Sequence, residues 1–463
     1  MSDLFRILGS AASSLDAQTA AAATTSHNLE NSNTPGYARQ RVSIETTLPA
    51  EEVGNVYIGQ GAQVASVTQV RDGFLEAQLP SAFGQASSSS ATASTLQAVD
   101  ALDPQASGGL GDAVSGFYAA LSQLAQNAAD PGLRQSAVSA AQTLATSFNQ
   151  TRGALEEART GVDQKLSGDV AQVNDLAQTV ASLNGQIRAA RAGGAEPNDL
   201  LDARQQAVDQ LAQLSGALPV ATSEGDVSLF LSGGAPLVTS LKAGTLSAVP
   251  DPANGGHLGL ELKAGGVQRK VSPGGELGGL LSARDGALET AVNSLDTLAF
   301  DFSGAVNAVH QAGVDLSGNA GQPLFSVTAL NGAAAQIAVN AAIAANPALL
   351  ATAHAGGGPG DASNVNDLLK TQSQLLSGGL DASGTLSQVT SAFGATAASA
   401  KAQSDADGAL RDHLTTLRAS ASGVSIDEEL IAMQKTQQAY QAISKVLQTT
   451  NDLFTTLMSI KPT

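Results

Sequence analysis

Apolar positions recur with helical spacing at both ends of the chain, and strand-like patterns occur only between them. Leu4, Ile7, Leu8, Ala11 and Leu15 share one face. They predict a helix from Asp3 to about Asn31, capped by Ser2 or Asp3 and prolonged by an Ala-rich stretch to Thr24. Asn33, Pro35 and Gly36 are helix-ending and turn-forming residues, so the chain leaves the helix there. At the other end, Ile426, Leu430, Met433, Gln437, Tyr440, Ser444, Leu447, Asn451, Phe454 and Met458 follow the a/d spacing of a heptad. A second stripe of Ile443, Val446, Leu453, Leu457 and Ile460 widens the apolar face and predicts contact with more than one neighbour. Ser425 and Glu428 have the spacing of a capping box, and Asp427, Glu428 and Glu429 complement the positive end of the helix.

Between the ends the period changes. Val42, Ile44, Val64, Val67 and Val70 predict two short strands around the turn-rich segment 53–61. Helices are expected over 72–103, which includes the serine run Ser87–Ser90, and over 111–129. Asp130-Pro131 is a helix start, with Asp as cap and Pro at the first turn, and no proline follows before Arg191. A continuous helix there is a rod of about 90 Å at ~1.5 Å per residue. Gly193-Gly194 and Pro197 break it. Asp199–Leu214 is helical again, with Leu200, Leu201, Val208, Leu211 and Leu214 on one side, and Gly216 stops it. Residues 217–271 read as β, with strands at 227–231 and 258–262. Helix returns over 275–310, followed by a loop at 313–322. Ile337, Val339 and Ile343 suggest a strand and short helices before the Gly-rich segment 355–360. Helices are expected at 365–376 and 385–418.

The fold class that follows is α+β and mostly α. The molecule is expected to be elongated, with paired, coiled-coil-like terminal helices, a long-helix bundle as its body and a small β-rich subdomain. The divisions are 1–40, the N-terminal helix and turn; 41–216, a β-hairpin and the long-helix body; 217–275, the β-rich subdomain; 276–424, return helices and loops; and 425–463, the C-terminal helix. An antiparallel pair of terminal helices has little core of its own and is marginal unless packed into an assembly.

Composition narrows the function. The 463 residues contain no Cys and no Trp, 3% aromatics, and 23 basic against 41 acidic residues, a formal charge of −18. Without Cys there are no disulfides, thiolate zinc sites or cysteine nucleophiles. So acidic a chain is a poor match for nucleic acid. No apolar run reaches the ~18 residues of a membrane span, and the N-terminus has no signal-peptide pattern. The five His, at 27, 257, 310, 354 and 413, are scattered. They read as core or solvated imidazoles rather than as zinc or catalytic groups. Asp405-Ala-Asp407-Gly408 resembles the start of a calcium loop, but the remaining ligands are absent. No phosphate-binding glycine loop or nucleophile elbow is present. Glu156-Glu157 reads as a solvated helix face rather than a glycosidase pair. No cofactor or metal is expected, and the chain does not read as an enzyme.

The string N-L-E-N-S-N-T-P-G-Y-A-R-Q, residues 28–40, resembles the N-terminal signature of the flagellar rod, hook and hook-associated protein family. Its matching positions are Asn28, Asn31, Asn33, Thr34, Pro35, Gly36, Tyr37, Arg39 and Gln40. The segment from Ser422 to Leu457 resembles the C-terminal signature of the same family. Glu428-Glu429 after S-G-V-S-I-D, V-L-Q-T-T-N near the end, N-D-L-L-D-A-R-Q-Q-A-V-D-Q-L at 198–211, P-L-V at 236–238 and Q-P-L-F at 322–325 resemble the hook-associated members at the hook–filament junction. Two features depart from the pattern. His27 and Glu30 replace a more usual Asn and Ala, and a long β-rich insertion that larger members carry after the position of Phe325 is missing.

The resemblance implies a secreted, self-assembling structural protein. It would leave the cell unfolded through the flagellar type III export apparatus and form a ring joining hook to filament. Its partners would be further copies of itself, the hook protein, a second hook-associated junction protein and an export chaperone, with no nucleic acid and no membrane insertion. Candidate subunit contacts are Leu4, Leu8, Leu15, Asn28, Asn31, Asn33, Pro35, Gly36, Tyr37, Arg39, Gln40, Leu430, Met433, Gln437, Tyr440, Leu447, Asn451, Phe454 and Met458. Candidate chaperone contacts are Ile443, Val446, Leu447, Leu453 and Leu457. Rival readings are a hook or distal-rod protein of the same family, a peptidoglycan-cutting surface enzyme and a secreted coiled-coil adhesin.

Overall fold

The computed structural model describes residues 2–47, 52–53, 56–57, 61–99, 102, 108–222 and 224–459. Ile460 of the second stripe, and residues 100, 101 and 103 of the expected second helix, lie outside them. The chain begins with α1 (Ser2–Glu30), turns, and forms β1 (Gln40–Thr46), the short pair β2 (Glu52–Val53) and β3 (Val56–Tyr57), and β4 (Ala62–Gln69). β1 and β4 are antiparallel, from Gln40 opposite Gln69 to Thr46 opposite Ala62, with a bulge at Ser43/Ile44. This hairpin lies along α1, where Ala62 N–H donates to Ser14 Oγ at 3.2 Å.

Four helices follow: α2 (Gly73–Gln97), α3 (Leu110–Gln126), α4 (Pro131–Ala192) and α5 (Asn198–Ser215). The expected rod is α4, 62 residues long. It starts where local chemistry requires: the Asp130 carboxylate accepts from Gly132 N at 2.7 Å and Leu133 N at 3.0 Å. α5 ends at Gly216 in the left-handed region, φ +63°. A Cβ there would stand 2.7 Å from Gly274 Cα, so only glycine fits.

The β-rich part holds more strands than the sequence shows. β5 (Leu218–Ala221), β6 (Val227–Leu231), β7 (Ala235–Thr239) and β8 (Lys242–Ala243) form one antiparallel sheet in chain order. β9 (Thr245–Pro250), β10 (Leu258–Ala264) and β11 (Val267–Lys270) form another. β6 and β10 carry apolar runs that the sequence shows; the remaining strands vary from the mostly buried β7 to the fully exposed β11, and none alternates cleanly.

The helix expected over 275–310 is interrupted. α6 (Gly275–Ser282) runs into a π turn at Ala283–Leu288 before α7 (Glu289–Ala312). A π turn adds a residue to the helical ring and re-aims the side chains around it. The small elements β12 (Phe325–Ser326), α8 (Ala333–Gln336), β13 (Ala338–Val339) and α9 (Ala341–Ala345) come next. Then come α10 (Ser363–Lys370), shorter than the expected 365–376; α11 (Ala382–Ser422), longer than the expected 385–418; and α12 (Ile426–Ser459).

Two large cores fill the body. The first joins α3, the first half of α4, α7 and residues 324–368, and it holds Phe117, Tyr118, Phe148, Phe302 and Phe325. These rings meet edge-on or tilted at 5.2–6.4 Å between centres. The second joins the other half of α4 to α5, α6 and the two sheets, and its buried members are all aliphatic. A small cluster of Leu79, Phe83, Ala212 and Leu414 fixes α2 and α5 against α11. α1 and α12 stand apart from all three clusters and pack on each other. They run antiparallel, as expected: Phe5 meets Phe454 edge-on at 5.3 Å, and the far end of α1 meets the start of α12.

Candidate functional site

The signature turn ties this helix pair to the body. Asn28, 1% exposed, uses its whole amide inside the chain. Its Nδ2 donates to Gln40 O at 2.9 Å and Glu429 Oε2 at 3.2 Å. Its Oδ1 accepts from Gln40 N at 2.9 Å and the Tyr37 hydroxyl at 2.8 Å. An Asn has two donors and two acceptor positions, and all four are filled. Asn31 and Thr34 build the turn: Asn31 Nδ2 donates to His27 O at 3.0 Å, and Thr34 Oγ1 donates to Asn31 Oδ1 at 3.2 Å. Gly36 has φ +80°, which explains glycine there.

Arg39 and Gln40 carry the connection outward. Arg39 N donates to Ser422 O at 2.9 Å, at the end of α11. Its guanidinium takes Glu429 Oε1 at 2.6 Å and Glu428 Oε2 at 2.7 Å, in the first turn of α12. This corrects the capping-box expectation. Ser425 Oγ does face Glu428 N, at 3.5 Å, but the Glu428 carboxylate is held by Arg39 instead of closing the box. Gln40 Nε2 donates to Asp199 Oδ1 at 3.1 Å, and Asn198 Nδ2 donates to Val67 O at 2.8 Å, so the start of α5 holds the hairpin. Arg71 pairs with Asp202 and, at 3.2 Å, with Glu76. Arg418 pairs with Asp209 at 2.8 Å and lies over the Phe83 ring. Burial, with the nearby charges of Asp202, Asp199 and Glu429, pushes the Tyr37 phenol above its usual range, so it stays a neutral donor to Asn28.

The expected contact residues therefore divide. Asn28 and Gln40 are buried, and all four hydrogen bonds of the Asn28 amide are made within the chain. Asn31, Tyr37 and Arg39 are half-buried, whereas Asn33, Pro35 and Gly36 form an exposed tip. On α1, Leu4 and Leu15 are half-buried and Leu8 is exposed. On α12, Met433, Leu447 and Phe454 are half-buried, on the face where Glu429, Thr436 and Thr450 are buried. Leu430, Gln437, Tyr440, Asn451 and Met458 are exposed. Of the chaperone candidates, Ile443 is half-buried with Leu447, and Val446, Leu453 and Leu457 are exposed.

The sequence reading missed Asn198, Asp199, Asp202 and Arg71 at this junction, and Glu429 as the shared acceptor of Asn28 and Arg39. A signal existed in N-D-L-L-D-A-R, whose Asn198, Asp199 and Asp202 fall within the first five residues of α5.

The other candidate groups have structural surroundings. His310 is fully buried, donates through Nδ1 to Gln322 O and accepts through Nε2 from Ala351 N at 2.9 Å. Burial pushes it down to about 4, so it is neutral at physiological pH. Asp405 and Asp407 lie inside α11, facing Lys401 and Gln403 one turn earlier. Glu157 is exposed, and Glu156 is partly exposed while pairing with Arg152 at 2.9 Å, Arg159 at 3.3 Å and His257 at 2.9 Å. Among the described residues, no group of three or more His, Asp or Glu converges as a metal site, and no helix is long and apolar enough to cross a membrane.

Comparison with known proteins gives a consistent result. Residues 96–325 match the family described as flagellar hook-associated protein FlgK helical domain. Residues 418–460 match the flagellar basal body rod FlgEFG protein C-terminal family. Flagellar hook-associated protein 1 of Salmonella typhimurium is 34% identical over 328 residues, which is 69% of this chain and 59% of the relative's own length. Flagellar hook-associated protein 1 of Escherichia coli is 27% identical over 98% of this chain and 100% of its own. The solved structure of the flagellar hook junction protein FlgK from Burkholderia pseudomallei shares the fold, with a TM-score of 0.68 at 23% identity, covering 74% of this chain and 100% of that one.

Proposed function

Since this chain belongs to the family of flagellar hook-associated protein 1, we propose that it is a structural subunit of the bacterial flagellum, assembling through its terminal helices into the ring that joins hook to filament. The observation that carries the reading is the inverted packing of α1 and α12. Their shared seam buries Ala11, Ala17, Thr25, Thr436 and Thr450, while Phe5, Ile7, Leu430, Ile431, Tyr440, Val446, Leu453, Leu457 and Met458 stay exposed. So many exposed large apolar side chains on one helix pair support an interaction role. Covering the exposed part of each such side chain contributes roughly 1 kcal/mol, so a ring of copies stabilises a helix pair that one chain supports weakly.

On this reading the inner assembly part is α1, its turn and α12, and the body faces outward. The partners are other copies of the chain, the hook protein and a second hook-associated junction protein. Before assembly, an export chaperone covers Ile443, Val446, Leu447, Leu453 and Leu457, and the flagellar type III apparatus passes the chain out of the cell without a membrane-inserted stage. The role is structural, and no catalytic step is proposed.

The test is electron microscopy of cells lacking this gene, with flagellin assayed in the medium. Hooks without filaments, and flagellin lost to the medium, are expected. Restoring the gene with Leu447→Asp is expected to reproduce the defect while the body still folds. Normal filaments in the deletion strain sink the junction reading, and absent hooks move the protein to the rod or hook.

A further inference from the structure

Three helical stretches pass through both large cores: α2, through Ala91 and Leu96 with only small residues between them, and two that carry buried charges at the crossing. On α4, Leu155 belongs to the aromatic core and Val162 to the aliphatic one, with Arg159 between them at 5% exposure. On the α6–α7 stretch, Leu280 belongs to the aliphatic core and Leu288 to the aromatic one, with Arg284 between them in the π turn at 1% exposure. At this level the molecule has a layer of ions. His257 Nδ1 faces Asp163 Oδ2 at 2.7 Å, and its Nε2 faces Glu156 Oε1 at 2.9 Å. Arg284 binds Asp163, both oxygens of Asp285 at 2.7 and 2.9 Å, and Leu258 O at 2.8 Å. Glu156 takes Arg152 and Arg159, and Arg159 reaches Glu289.

An apolar seam would couple two cores through continuous burial. A layer of buried ion pairs does not, because desolvation offsets much of their attraction. The cores also differ in content: the aromatic one holds six rings, and the aliphatic one none. Aliphatic packing removes less apolar area per residue. From this geometry we infer that the body is two unfolding units divided at the ion layer, and that the aliphatic unit, with its two sheets, opens while the aromatic unit remains folded. The inference is independent of the assembly role. It describes a joint built into α4 and the π turn, a local-opening boundary of the kind seen as separate cooperative units in hydrogen exchange.

The experiment is hydrogen exchange of the full chain, read by mass spectrometry of peptides across a urea series. Peptides from β6, β7 and β10 are expected to lose protection about 1 M urea before those from α3 and α7. A single midpoint for both sets overturns the inference. Asp163→Asn, which removes charge facing His257 and Arg284, supplies a second readout. It is expected to lower the midpoint of the β peptides and leave that of α3 unchanged. An equal fall in both overturns the division, and the wild-type urea series stands as a test even where this variant fails to fold.

Discussion

The body and the terminal helix pair place their large side chains in opposite ways. In the body, Phe117, Phe148, Phe302 and Phe325 are each at most 2% exposed and touch one another. In the pair, alanines and threonines fill the seam, while Phe5 is 59% and Met458 67% exposed. The body is therefore folded by burial within one chain. The pair is held by its ends: the Asn28–Arg39–Glu429 knot at one and the Phe5–Phe454 contact at the other. A buried polar knot fixes orientation, whereas apolar area gives most of the folding energy. The pair has the first and little of the second, which on the proposed reading a neighbour supplies.

The largest expected effect is in the body. Phe302 touches four other rings, and Phe302→Ala is expected to cost about 3–5 kcal/mol through the cavity it leaves. Urea unfolding followed by circular dichroism measures it. A loss below about 1 kcal/mol would mean that the body is as loosely packed as the pair, and the contrast would disappear.

Asn28→Ala tests the knot. It strips four bonds and leaves Gln40 N, Gln40 O and the Tyr37 hydroxyl without their partner. Uncompensated buried polar groups cost about 1–3 kcal/mol each when they cannot reach water. We expect a loss of about 2–3 kcal/mol confined to the pair, seen as faster hydrogen exchange in α1 and α12 with α4 unchanged. Equal acceleration in α4 would show that the knot holds the body as well.

How much of this was legible depends on distance along the chain. The helix ends were readable because caps act locally: Asp130-Pro131 starts α4, and Gly193 ends it. The antiparallel pairing of the ends followed from two amphipathic patterns. The π turn was not readable, since A-R-D-G-A-L contains nothing that forbids an ordinary helix; Arg284 departs from it to reach Asp163. The knot was half readable. Its turn residues were visible, but Asn198, Asp199 and Glu429 come from elements far away in sequence, and no local periodicity brings them to Gln40 and Asn28. The heptad on α12 showed which positions form stripes, but not which stripe turns inward. The inward face includes Glu429, Thr436 and Thr450, against the rule that apolar residues go inside, because Glu429 is paired with Arg39 and both Thr hydroxyls donate to the carbonyl four residues back.

The smallest effect on the monomer is the one that separates folding from assembly. Ile431 is 54% exposed on α12, two residues beyond the buried Glu429 and so turned away from the seam. Ile431→Ser removes apolar area on the side of α12 opposite its partner helix, so the stability of the isolated chain should change by no more than about 0.5 kcal/mol. On the proposed reading the same side chain is covered in an assembled ring, and losing it there removes roughly 1 kcal/mol at every copy. The repeat of one interface around a closed ring multiplies that loss, so a substitution nearly silent in urea unfolding is expected to abolish or strongly reduce ring formation. Sedimentation of the purified variant at increasing concentration, beside its unfolding curve, reads both quantities. A variant that assembles like the wild type shows that this exposed face is idle, and the contrast between body and pair then lies in packing alone.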